Sequence, residues 1–164
     1  SIFIPDFSIK RSDRDVLNGL ISLQPSQILH MKLLNSNKIS KNIKIISTGG
    51  IRDNAQQNIY KGIEKPSYVL LGSLNNFEIE VIDEISGMFF TKYAVEFRGE
   101  VSWEILDANG NKITVDTKDI KKTFEVEADS DKKAELLNKI DKSVIEEKIN
   151  NILEKIKSDM EEAI

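Results

Sequence analysis

The chain has no cysteine, one histidine and one tryptophan. The absence of cysteine excludes disulfides, thiolate nucleophiles and cysteine-ligated zinc, and it leaves the redox compartment open. One histidine cannot build a catalytic triad or a histidine metal cluster. His30 lies in a helical run beside Met31 with no carboxylate partner visible in the sequence, which predicts a structural or surface role. Basic residues are not in excess either. Lysine and arginine number 23 against 27 aspartates and glutamates, and the net charge of −4 comes from interspersed signs. A nucleic-acid binder would carry a basic stripe, so none is expected as a partner. No apolar run approaches the length of a membrane span.

What is present is patterning. The 164 residues are 40% hydrophobic, enough for one core and one domain over 1–164. The stretch from Phe89 to Ile105 organises the rest. Its odd positions are Phe89, Thr91, Tyr93, Val95, Phe97, Gly99, Val101, Trp103 and Ile105, and charged residues fill most of the even ones. A period of two predicts a half-buried antiparallel strand. A straight strand of that length would span roughly 55 Å, so a bend or bulge is expected, most cheaply at Gly99. Asp107-Ala108-Asn109-Gly110-Asn111 supplies a hairpin turn. A second strand returns through Ile113, Val115, Phe124 and Val126.

Upstream, Ile2 to Ile9 is β-prone, with Pro5 confining it to an edge or a strand end. Val16, Leu17, Leu20, Ile21 and Leu23 have helical spacing, and Ser26 can cap a second helix carrying Ile28, Leu29, Met31, Leu33 and Leu34. Ile43 to Ile46 reads as a short strand, and Arg52 to Lys61 as one or two helical turns. Tyr68 to Leu74 is apolar on both faces, hence a central strand. It continues through Phe77, Ile79 and Val81, with a register change expected at Asn75-Asn76, and Asp83 to Gly87 is the turn into the organising strand. From about Asp129 a single apolar stripe predicts one long helix of about 45–50 Å lying across the face of Tyr93, Phe97 and Trp103. The expected fold class is α+β, in the order β-α-β-(short α)-β-β-β-α, with a mainly antiparallel sheet covered by a long C-terminal helix.

Candidate chemistry is sparse. Asp107, Asn109 and Asn111 imitate a calcium loop, but its glycine and final glutamate are replaced by Lys112 and Lys118, and the hairpin explains these residues better. Thr48-Gly49-Gly50-Ile51-Arg52 follows a strand and can cradle an anion, yet it lacks the lysine and hydroxyl of a phosphate loop. A plain strand exit is the simpler reading. Asp83 and Glu84 are a solvated pair. Phe89, Phe90, Tyr93, Phe97 and Trp103 could line a groove, although alternation makes most of them core.

Two stretches carry a resemblance. Ile2-Phe3-Ile4-Pro5-Asp6-Phe7 resembles the first strand of lipopolysaccharide-assembly lipoproteins (LptE-type) and of curli-secretion-type lipoproteins. Pro66-Ser67-Tyr68-Val69-Leu70-Leu71-Gly72-Ser73-Leu74-Asn75-Asn76-Phe77 is similar to a stretch shared by these and by auxiliary lipoproteins of lipid ABC transporters. Those families continue with two long strands, an aspartate/glycine hairpin and a closing helix. Leu106 to Gly110 and the helix from Asp129 stand in those places. The resemblance implies a non-enzymatic, periplasmic protein anchored to the outer membrane, serving an envelope assembly or lipid-transport system. Its partner would be an envelope protein or a lipid-type ligand. It implies no catalytic residue, metal or cofactor. Because the chain starts at Ser1 rather than methionine, we expect a precursor whose signal peptide ends in a lipidated cysteine just upstream, supplying a membrane anchor absent from this chain.

Two other readings remain at this stage. The C-terminal domain of spore-germination lipoproteins also ends sheet-then-helix, though an aromatic-glycine ending is expected there and Met160 to Ile164 stands instead. A small hydrolase would need two buried acids near a pocket, whereas acids here stand almost only at wet positions. The expected partner-binding residues are Gly49, Gly50, Arg52 and Ser86, in the loops around Gly49–Arg52 and Asp83–Gly87, together with any sheet-face aromatics the helix leaves uncovered.

Overall fold

The computed structural model describes residues 1–22, 24–48 and 65–164. Three long antiparallel strands form its frame: β4 (Tyr68–Ser86), β5 (Thr91–Asp107) and β6 (Lys112–Glu127). Three short strands run parallel to β4 or to each other: β1 (Ile2–Ile4), β2 (Ser8–Lys10) and β3 (Ile45–Ser47). The sheet order is β3-β1-β4-β5-β6, with β2 also paired to β4. The fold is α+β, with the sheet covered by C-terminal helix as expected.

The alternation of β5 is expressed as burial. Tyr93, Val95, Phe97, Val101, Trp103 and Ile105 are all buried on one face, where helices cover them. On the other face Glu78, Glu80 and Glu96 gather around Arg98, with its closest carboxylate contacts at 2.6 and 2.7 Å. Among the described residues no helix covers this second face. Edge strand β6 carries Lys112, Lys118, Lys121 and Lys122, charges that discourage pairing with a further strand.

The irregularity in the long ladder lies across from Gly99 rather than at it. Gly99 pairs regularly with Ile120, while the register slips on β4 between Asn75 and Glu78. Asn76 takes a positive φ of 56° as the extra residue, a conformation asparagine tolerates. The slip turns Phe77 inward, edge-on to Phe97 at 5.7 Å. A Cβ at position 99 would sit 2.7 Å from the Phe77 ring, so glycine is needed there for close approach, not for bending. The bulge also frees the backbone of Phe77. Its N–H donates to Ser12 Oγ and its carbonyl accepts from Asp13 N–H, which seats the first helix on the strand.

Pro5 ends β1 inside the sheet. One extra residue separates the β1 and β2 registers against β4, and that excursion drops the Phe7 ring onto Gly72, where a Cβ would lie 2.3 Å from it. Helix α1 (Arg14–Leu20) buries Val16, Leu17 and Leu20 and is capped by Asp13. It stops before Ile21, and Leu23 lies outside the described residues. Helix α2 (Pro25–Leu34) has Pro25 at its first position. Ser26 does not cap it, as the sequence suggested; it is buried within the helix and donates to Asp6. Leu29 and Leu33 face the core while Met31 and Leu34 point outward. The short helix expected over Arg52–Lys61 falls outside the described residues.

The closing helix is broken in two. Helix α3 (Lys133–Lys139) ends at Ile140, and α4 (Lys142–Ala163) starts afresh with the Asp141 side chain accepting from Ser143 N–H. The apolar stripe runs through the break, because Leu136 and Ile140 are buried in line with Ile145 and Ile149. Periodicity therefore hid a corner that a single capping aspartate made. At 22 residues, α4 is about 33 Å long.

Candidate functional site

The expected turn at Asp83–Gly87 is instead strand. β4 continues to Ser86, and the turn lies at Gly87–Phe90, closed by Gly87 N–H donating to the Phe90 carbonyl at 2.7 Å. Phe89 and Phe90 consequently do not belong to the buried alternation of β5. Phe89 is 91% exposed, Met88 89% and Phe90 47%. A second register slip, between Val81 and Asp83, sets Ile82 outward, and Ile85 is also exposed. Five large apolar side chains thus stand in solvent at one end of the β4–β5 hairpin, whereas the other exposed apolar residues among those described are scattered.

The surroundings of this tip are acidic. Lys92 sits opposite Ile85 and reaches over the Phe90 ring at 5.5 Å. Against that cation, among the described residues, stand Asp83, Glu84, Glu125 and Glu127 along the paired strands. Tyr93, buried just below, has its hydroxyl pKa raised, by burial first and then by Glu84, Asp131 and Glu135. Of the residues expected to bind partners, Ser86 is here, exposed and paired with Thr91. Gly49, Gly50 and Arg52 lie outside the described residues. Thr48, just before them, is buried; its hydroxyl accepts from Asp6 N–H at 3.0 Å and donates to Asp6 Oδ1 at 3.3 Å.

Two of the described acids, Asp159 and Glu96, are buried; they are the exceptions to the expected placement of acids almost only at wet positions. Asp159 on α4 accepts from Trp103 Nε1 at 2.9 Å and from Lys155 Nζ at 2.7 Å. The neighbouring carboxylate in turn raises the Lys155 pKa. Glu96 contacts Arg98 at 2.7 Å and Lys121 at 3.8 Å. The two acids occupy opposite faces of β5 and cannot act on one substrate. Sequence reasoning missed Asp159 because it continues the apolar stripe at the spacing of Ile152, Ile156 and Met160. An acid there should have signalled a buried donor facing it.

A groove of about 440 Å³ crosses the open face where β1 gives way to β2, lined by Asp6, Lys10, Asn75, Ser102 and Glu104 among others. Asn75 Nδ2 donates to Ser102 Oγ, which shares a hydrogen bond with the Thr117 hydroxyl, both at 2.9 Å. Its serines have no histidine beside them. His30 is on α2, with Nδ1 2.6 Å from Ser47 Oγ, tying that helix to β3. Among the described residues no three of His, Asp and Glu converge as metal ligands. No helix of the described residues is long and apolar enough to cross a membrane. At the other end of β5, Asp107 Oδ1 accepts from the N–H groups of Asn109 and Asn111 while Gly110 takes φ 80°. The aspartate and asparagines of that turn are engaged in closing it.

No protein-family model matches this chain, and no curated protein matches it in sequence. Solved structures do. A Helicobacter pylori protein described as a neuraminyllactose-binding hemagglutinin homolog superposes with a TM-score of 0.54 at 12% identity, over 96% of this chain and 83% of its own. That similarity is one of fold. Lipoprotein GNA1162 from Neisseria meningitidis matches with a TM-score of 0.40 at 10% identity, covering 93% of this chain and 97% of its own. A minor lipoprotein from Acinetobacter baumannii matches with a TM-score of 0.43 at 14% identity, covering 97% and 94%.

Proposed function

We propose that this chain is a non-enzymatic accessory or binding protein of a bacterial envelope assembly or lipid-transport system, and that the β4–β5 hairpin tip is its binding surface. The observation that carries the reading is the exposure of Met88, Phe89 and Phe90 at the end of the long β4–β5 hairpin. Contiguous apolar side chains left in water on a folded protein mark interaction sites. Loops on a folded scaffold hold position while leaving their side chains free to make contact.

The sequence resemblance to LptE-type, curli-secretion-type and transporter-auxiliary lipoproteins supports an envelope setting, with periplasmic localisation and an outer-membrane lipid anchor attached upstream of Ser1. The fold shared with the Helicobacter protein is compatible with it.

The test is a photo-crosslinking amino acid placed at Phe89 or Ser86 in the anchored protein, with Glu104 on the open face as control. Capture of envelope components from the tip positions and not from Glu104 is the expected result. Equal capture from all three, together with substrate turnover abolished by a single carboxylate mutation, would replace this reading with the hydrolase.

A further inference from the structure

We propose that the hairpin tip is a lipid-inserting element that partitions into the interface of bilayers with zwitterionic, net-neutral headgroups. The inference rests on the tip being the binding surface and names what it binds.

The distribution of the apolar groups decides between a groove and a fluid. Ile85 lies on the face of the ribbon opposite Tyr93, Ile82 is turned out by the register slip, and Met88 to Phe90 occupy three successive positions around the turn. Ile85 and Phe90 share the face of Lys92, and Met88 and Phe89, at the turn itself, are almost fully exposed, so the apolar surface continues from that face around the end of the ribbon. A protein groove contacts one face of a ribbon and leaves the other in water. A lipid interface receives the end of the ribbon, Ile85 with Met88 to Phe90, without shape complementarity, and leaves Ile82 below the charged residues. The polar groups bound the depth. Asp83 and Glu84 on one strand and Lys92 on the other lie only a few residues below the turn, so insertion stops at the headgroup–acyl boundary. Lys92, lying over Phe90, can keep its stem against the ring while its ammonium stays in the headgroup layer.

Charge selects the headgroup and disfavours a second copy. Asp83, Glu84, Glu125 and Glu127 outnumber Lys92 around the base of the tip. Anionic lipid would be repelled over a distance of about a Debye length, and two tips docked together would oppose their acidic collars. Neutral headgroups carry no such penalty.

The probe is phosphatidylcholine vesicles, and the reporter is Phe89→Trp. Trp103, the one native tryptophan, is 1% exposed and hydrogen-bonded to Asp159, so its emission is already that of a buried indole. We expect the new indole to shift to the blue on adding vesicles and to be quenched by brominated phosphatidylcholine. Native protein should float with these vesicles, and the double variant Phe89→Ser, Phe90→Ser should partition about tenfold more weakly or less. Val115→Ser, removing an equally exposed apolar group on β6, should leave flotation unchanged. Phosphatidylglycerol vesicles should bind less at low salt and recover as salt is raised. Unchanged Trp103 emission and melting would show the variants folded. Absence of both shift and flotation, flotation indifferent to the tip variants, or preference for phosphatidylglycerol would each overturn the proposal. If vesicles fail but a crosslinker at Phe89 captures one envelope protein, the lipid inference falls and the binding surface stands. Failure of both removes both.

Discussion

The two ends of the β4–β5 hairpin are built from similar residues and behave in opposite ways. At the Trp103 end, aromatic and aliphatic side chains are packed beneath α4 and nearly all are inaccessible to water. At the Phe89 end, side chains just as apolar stand in solvent, Ile85 on the open face and Met88 to Phe90 around the turn, where no helix of the described residues covers them. Hydrophobicity therefore does not by itself separate core from surface here. Coverage does, and it ends where the helical layer ends.

The largest expected effect is at the covered end. Trp103→Ala removes a buried indole and strips Asp159 of one of its two hydrogen-bond donors. It should cost about 3–5 kcal/mol in denaturant titrations. Phe89→Ser removes an aromatic of similar character from the bare end and should change stability by less than about 0.5 kcal/mol. Comparable losses at the two sites would mean that the tip is covered in solution.

Gly99→Ala sharpens the comparison from the middle of the ribbon. The added methyl meets the Phe77 ring, which is fully buried and packed edge-on against Phe97. A loss of about 1–3 kcal/mol is expected in the same titrations. A neutral outcome would show that the bulge yields.

Acid should act on the turn and helix ends of the covered region. Backbone N–H from Asn111, opposed by desolvation and aided by Asn109, holds the Asp107 pKa below its ordinary 3.8. The Ser130 hydroxyl and then Asp129 N–H hold Glu135 below 4.5. Lowered folded values mean that the unfolded state binds more protons, so this stabilisation is complete above the ordinary values and is lost as pH falls through the folded ones. Thermal melts should begin to fall as pH drops through about 4.5 and continue falling below 3.8, and Glu135→Gln should remove the first part of that decline. A decline unchanged in Glu135→Gln would place the linkage on other groups.

The smallest effect is expected on the open face. Glu104→Ala loses a half-exposed contact to Lys112 at 3.1 Å and should shift stability by less than about 0.5 kcal/mol. Trp103, one residue away in sequence, provides the contrast between the two faces.

Much of this was legible without coordinates. Alternation identified which face of β5 is buried from Tyr93 to Ile105, Asn109-Gly110 marked the second hairpin, and Asn75-Asn76 marked the slip. The tip was not legible. Phe89 falls in phase with Tyr93 and Phe97, so pattern assigned it to the core. The better signal was the unbroken run Met88-Phe89-Phe90 after Gly87, which alternates with nothing. Gly99 invited a bend because glycine permits one, yet the cause lies in Phe77, a residue 22 positions earlier that only strand pairing brings near.

Local chemistry determined the faces, turns and caps of this protein, because side-chain direction along a strand or helix is fixed by backbone geometry within a few residues. Tertiary structure alone decided how far the helical layer extends over the sheet and which apolar residues remain in water. Those outcomes depend on the relative lengths and angles of elements distant in sequence. A 22-residue helix laid on a longer ribbon leaves the end of that ribbon bare whatever residues it carries.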